Sequence, residues 1–100
     1  MSYQTVFPDF DDAASCERLL ALGFADTSYS NDACPSFERD GIAIYIDYAD
    51  ASLSEWTERD DTRFSVISDA NEQSIFDDLD NALIYHAHLV DYMSWVKPSL

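Results

Sequence analysis

The chain has 100 residues, 47% of them hydrophobic and 14% aromatic, enough apolar material for one core and too little length for a second domain. Twenty Asp and Glu face five Lys and Arg, a formal net charge of −15, so direct binding of nucleic acid or of an anionic membrane is disfavoured by repulsion. Residues 1–100 are expected to form one globular domain, since the apolar content exceeds that of a disordered acidic tail.

The first predicted element is a helix over Phe10 to Leu22, with Asp9 as N-cap, Asp11 and Asp12 in its first turn and Gly23 ending it at C′. Ala13, Cys16, Leu19, Leu20 and Phe24 would face the core. Ala25 to Asp40 is rich in Asp, Ser and Asn and carries Pro35, and short strands are expected near Thr27 to Ser30 and Ser36 to Arg39. In Ile42 to Tyr48, apolar Ile42, Ile44, Ile46 and Tyr48 alternate with Ala43, Tyr45 and Asp47, the period of a strand with one buried face. Another strand is read over Thr62 to Ser68, with Phe64 and Val66 on one side and Arg63, Ser65 and Ile67 on the other. Asp50 to Asp61 reads as a strand extension and hairpin, or as a helical turn opened by Ser52-x-x-Glu55. The last element is a long helix over Glu72 to Val96. Its inner face gathers Ile75, Phe76, Leu79, Ala82, Leu83, His86, Leu89, Val90 and Met93, and its outer face Gln73, Asp77, Asp80, Asn81, Ile84, His88, Asp91 and Trp95. The expected fold class is α+β, a two-layer domain whose small antiparallel sheet of three to four strands is flanked by the N-terminal helix and covered by the C-terminal one.

Catalytic patterns are not found. His86 sits amid an apolar face, where a packed, hydrogen-bonded ring is the expected role, and His88 faces outward among carboxylates. With Gly23 and Gly41 the sole glycines, neither a nucleophile elbow nor a phosphate-cradling loop can be built. Cys16 and Cys34 have neither disulfide-framework nor zinc-site spacing. Carboxylates cluster at Asp9, Asp11 and Asp12 and at Asp77, Asp78 and Asp80, but without the convergence a hard cation needs. The expectation is a non-enzymatic protein without metal or cofactor. Met1 to Phe10 has neither a basic n-region nor an apolar h-region, and no run approaches about 18 apolar residues, so the cytoplasm is the expected location.

What remains is the charge. Its carboxylates spread from Asp9 to Asp91, so a folded body would display them on many sides. Fifteen of the twenty are Asp, which holds its charge close to the backbone; Asp is also favoured in turns and caps, which accounts for Asp26, Asp32, Asp40, Asp60 and Asp61 without any partner. A compact chain of this length is about 33 Å across, and duplex DNA of that length carries roughly 20 phosphates.

Size, spread carboxylates, missing catalytic motifs and an α+β pattern together make a chain that resembles the small acidic inhibitors of phages and mobile elements, DNA mimics and anti-CRISPR proteins among them. The resemblance implies a host defence nuclease or CRISPR effector complex as target, blocked at its nucleic-acid-binding cleft in the host cytoplasm. It rests on class features without a family motif, so no residue role follows from it.

The expected partner is thus a basic protein surface, one that holds nucleic acid. Candidate contacts are Asp77, Asp80, Ile84, Asp91 and Trp95 from the last helix, with Asp47, Asp50, Glu55, Glu58, Asp60 and Asp61 from the strand and hairpin region. Aromatic and aliphatic anchors inside a charged rim are what tight interfaces use; a homodimer contact is the other use of the outer apolar residues. Two further readings compete. One is an adaptor or antitoxin-like module for a basic protein; the other is salt adaptation, which a single lysine favours and which Trp56, Trp95, six Tyr and six Phe oppose.

Overall fold

The computed structural model describes residues 2–55, 62–68 and 73–96, the last four as helix backbone. A single turn, α1 (Tyr3–Val6), is capped by the Ser2 side chain. The helix α2 (Ala13–Ala21) follows and starts later than expected, because Asp12 and not Asp9 is its N-cap: Asp12 Oδ1 accepts the Ser15 N–H at 3.2 Å. The acids before it are occupied elsewhere. Asp9 accepts the Tyr48 hydroxyl at 2.9 Å, and Asp11 accepts the N–H groups of Ala49 and Asp50 at 2.8 and 2.7 Å. At the other end Gly23, with φ of 90°, takes the left-handed C′ position foreseen for it. Cys16, Leu19 and Phe24 are buried, whereas Ala13 and Leu20 are exposed.

Five strands form one antiparallel meander in chain order: β1 (Ala25–Asp26), β2 (Ser36–Arg39), β3 (Ile42–Ile46), β4 (Phe64–Ile67) and β5 (Gln73–Phe76). The sequence indicated three to four. No strand forms over Thr27 to Ser30, because Asp26 bends the chain there, one carboxylate oxygen accepting the Ser28 N–H and the other the Tyr3 N–H. Between β2 and β3, Asp40 and Gly41 have φ of 56° and 77°, the positive pair that a type I′ hairpin turn requires. After β3 the expected strand extension is replaced by a 3-10 turn, Ala51–Leu53, capped by Asp50; Glu58, Asp60 and Asp61 of the expected hairpin lie outside the described residues.

The largest correction concerns Gln73 to Phe76, read as helix and found as the edge strand β5 paired to β4. Its burial alternates with period two. The helix α3 (Leu79–Val96) starts only after Asp78, whose carboxylate accepts the Asn81 N–H at 2.7 Å as an N-cap does.

Register decides what each sheet face does. Phe37, Ile44 and Val66 stand in one cross-strand row and Ile46, Phe64 and Phe76 in the next, and both rows point to the side on which the helices lie. There they join Ile42, Tyr3, Cys16, Leu19, Phe24, Leu79 and Ala82 in one buried cluster. With α2 against β2 and α3 across β3, β4 and β5, neither helix covers the other sheet face, which carries Glu38, Ala43, Tyr45, Ser65, Ile67, Gln73 and Ile75.

Candidate functional site

The carboxylates divide by what they touch. One set is consumed in building the fold. Asp9, Asp11 and Asp12 anchor the stretch after β3 to the start of α2, and Arg63 completes that anchor: its guanidinium lies 2.8 Å from Asp12, donates to the Asp47 carbonyl at 3.3 Å and stacks over the Phe64 ring. Burial raises the Asp12 pKa, but hydrogen bonds from Ser15 and Arg63 outweigh it and hold the carboxyl below its ordinary value. Glu17 accepts the Tyr3 hydroxyl at 2.8 Å. Burial, followed by bonded Glu17 and Asp9 respectively, pushes the Tyr3 and Tyr48 phenols up to about 12.

Asp47 belongs to this structural set, which corrects its assignment as a partner contact. It is 2% exposed, accepting the Ser54 hydroxyl at 2.6 Å and the Tyr48 N–H at 2.8 Å. Asp50 is exposed but tied to the Ser52 N–H and hydroxyl at 3.0 and 2.8 Å. Both attach to the Asp9 to Asp12 corner and its loop, so they do not extend the outer face of α3. Glu55 is exposed just beyond the 3-10 turn.

A second set faces solvent on α3 and just ahead of it. Asp77, two residues before the helix, and Asp80, Ile84, His88, Asp91 and Tyr92 on it are all exposed, Ile84 to 68% and Tyr92 to 61%. Ile84, His88 and Tyr92 are four residues apart and so form one stripe along the helix. Asp80 pairs with Arg18 at its base, and the Trp95 side chain lies outside the described residues. Tyr92 adds an exposed aromatic to this stripe, two turns beyond Ile84.

The described arginines all have partners within the fold. Arg39 donates to the Leu22 carbonyl at 2.8 Å and lies near Asp40, Arg63 is held in the Asp12 anchor, and Arg18 meets Asp80. Arg59 and Lys97 lie outside the described residues.

His86 and Cys16 are packed away. The His86 ring is 5% exposed, its Nε2 lying 3.0 Å from the Arg39 carbonyl and 3.2 Å from that of Ile42, so it pins the β2–β3 turn to α3. Burial, reinforced by Asp12 and Asp26, pushes the Cys16 thiol up to about 12. Among the described residues no group of three His, Cys, Asp or Glu is placed to hold a metal ion, and no helix is long and apolar enough to cross a membrane.

Sequence reasoning missed a concavity on the sheet face opposite the helices, a groove of 220 Å³ lined by Asp32, Cys34, Tyr45, Ser65, Ile67 and Gln73. Strand alternation had put Tyr45, Ser65 and Ile67 on this face. That residues 32 to 34 fold over its edge is a tertiary fact with no local signal.

Comparison of the chain with protein-family models, with curated proteins and with solved structures finds no match.

Proposed function

We propose that this chain is a non-enzymatic inhibitor that docks the outer face of α3 into the basic nucleic-acid-binding groove of another protein, a defence nuclease or CRISPR effector complex being the target class, and so excludes the nucleic acid. The observation that carries this reading is the division of the carboxylates, with Asp91 exposed on the same helix as the exposed Ile84 and Tyr92 and Asp77 exposed just ahead of it, while the described arginines are engaged within the fold.

Shape supports it. The principal extents are 46 × 27 × 23 Å, longer and narrower than a sphere of the same chain length. Duplex DNA spanning 46 Å carries about 27 phosphates, and this chain has 20 carboxylates. Long-range attraction would steer the encounter, and the apolar stripe would then slow dissociation. A second copy is the poorer occupant of the helix face. Two-fold pairing would set Asp77, Asp80 and Asp91 of each copy against their equals, between bodies of charge −15 each.

The test is capture of partners from a host lysate at low and moderate salt, followed by titration of duplex DNA or RNA against the captured complex. Mutual exclusion of protein and nucleic acid supports the proposal. A captured partner that binds this chain and nucleic acid together overturns the competitive mechanism, and one with no nucleic-acid site favours the adaptor reading.

A further inference from the structure

The groove on the sheet face opposite the helices is separate from α3 and takes no part in the docking described above. Its size and lining narrow what it could hold. At 220 Å³ it falls below the roughly 300–1,000 Å³ of sites for whole small molecules, so a single side chain is the fitting scale. Its lining is partly apolar, with Tyr45 from β3 and Ile67 from β4, while Asp32, Ser65 and Gln73 bring oxygen acceptors to it. The Gln73 amide N–H donates to Ser65 Oγ at 3.2 Å, which leaves its carbonyl oxygen as an acceptor. Among the described residues no cationic side chain lines the groove.

Charge complementarity selects the occupant. Asp32 sits at the groove, and Glu38 lies on the same sheet face as Tyr45, one strand over. The Tyr45 phenol is held above its ordinary pKa first by burial and then by the Asp32 charge, with Glu38 adding to it, so both carboxylates impose a negative potential at the ring. A cation on that ring gains from its π face and from both carboxylates. Several acceptors in the lining, from Asp32, Ser65 and Gln73, suit a planar fork of several N–H donors better than the compact ammonium of lysine, and the guanidinium also stacks on aromatic rings.

We infer that this groove is a docking pocket for an arginine side chain of a basic partner protein, seated on Tyr45 and hydrogen-bonded to Asp32. The inference rests on the proposed binding of basic surfaces only for the origin of the arginine; the pocket itself is defined by its own residues. A partner engaged at both places would contact opposite sides of the sheet, as an extended or wrapping basic segment does.

Titration of the full chain with the tripeptide amide acetyl-Gly-Arg-Gly, followed by amide chemical shifts, tests this. Saturable shifts at Tyr45, Ser65 and Gln73 are expected, at least threefold weaker binding for the lysine peptide, and no saturation for the citrulline peptide, which keeps the shape and loses the charge. Asp32→Asn should weaken arginine binding about fivefold to tenfold with an unchanged melting temperature, loss of one charged hydrogen bond partly offset by solvent. Shifts spread evenly over all acidic surfaces, equal response to lysine or citrulline, or an Asp32→Asn chain that binds as before would overturn the inference. Ile84→Asp separates the two proposals. It should leave groove binding untouched while impairing capture of the basic partner; a groove that binds arginine in a chain that captures nothing basic refutes the inhibitor reading and leaves the pocket standing.

Discussion

Asp47→Ala should be among the most destabilising single changes to any carboxylate in this chain, although from sequence the residue resembles a displayed charge. In the fold its carboxylate accepts the Ser54 hydroxyl at 2.6 Å and the Tyr48 N–H at 2.8 Å, at a site 2% exposed. Hydrogen bonds to a charged group contribute about 1.5–3 kcal/mol each, and the desolvation of the carboxylate that alanine removes offsets part of the sum, leaving a net loss of about 2–4 kcal/mol. At roughly 4–8 °C per kcal/mol for a chain of this size, the melting temperature followed by circular dichroism should fall by about 10–25 °C. Asp47→Asn keeps an acceptor for the Tyr48 N–H and should lose about half as much. Asp77→Ala, at an exposed position, should stay within about 0.5 kcal/mol of the parent. An Asp47→Ala protein that melts with Asp77→Ala refutes the division of carboxylates into structural and displayed sets.

Arg63→Met should cost about 1–3 kcal/mol at neutral pH, since it leaves Asp12 largely buried without its guanidinium. Because the Asp12 pKa is depressed in the folded state, ionisation of this carboxyl favours folding above about pH 4, and that contribution is lost as the pH falls through the folded value. Urea unfolding should therefore show a gap between parent and variant that is full at pH 7 and narrows below about pH 4; a gap independent of pH contradicts the pairing. His86→Leu removes the bond from Nε2 to the Arg39 and Ile42 carbonyls and the ring contact with Phe24 at 4.8 Å. A loss of about 1–2 kcal/mol follows, with faster amide exchange at the Asp40–Gly41 turn, and unchanged exchange there would show that His86 does not hold the turn.

Much of the fold was legible because β3 and β4 alternate cleanly and Gly23 stops α2 where a left-handed residue is needed. The Asp40–Gly41 pair carried a hairpin signal of equal strength. Where the reading failed, long-range competition had decided. Ile75 and Phe76 fit the helical period of Leu79 and Ala82, and only pairing with β4 and the cap at Asp78 make them a strand. Likewise Asp9, read as the cap of α2, is claimed by the Tyr48 hydroxyl, and Asp12, read as a first-turn residue, caps the helix instead. For the candidate site, the wheel placed Asp77, Asp80, Ile84 and Asp91 on one outer helix face; Asp80, Ile84 and Asp91 lie exposed on α3, whereas Asp77 precedes the helix and so escapes the wheel. It could not reveal that Asp47, on the polar side of an alternating strand, turns into the 3-10 corner, or that Asp80 has Arg18 as a partner from 62 residues away.

The measurement closest to the central claim is the dissociation constant for the captured partner as salt rises from about 50 to 200 mM, for the parent chain and for Asp77→Asn/Asp91→Asn. Competitive binding through the displayed carboxylates predicts that the parent's affinity falls at least tenfold over this range, that the double variant binds more weakly with a shallower slope, and that duplex DNA displaces both. A salt dependence that is flat, or that the double variant shares unchanged, would contradict the account.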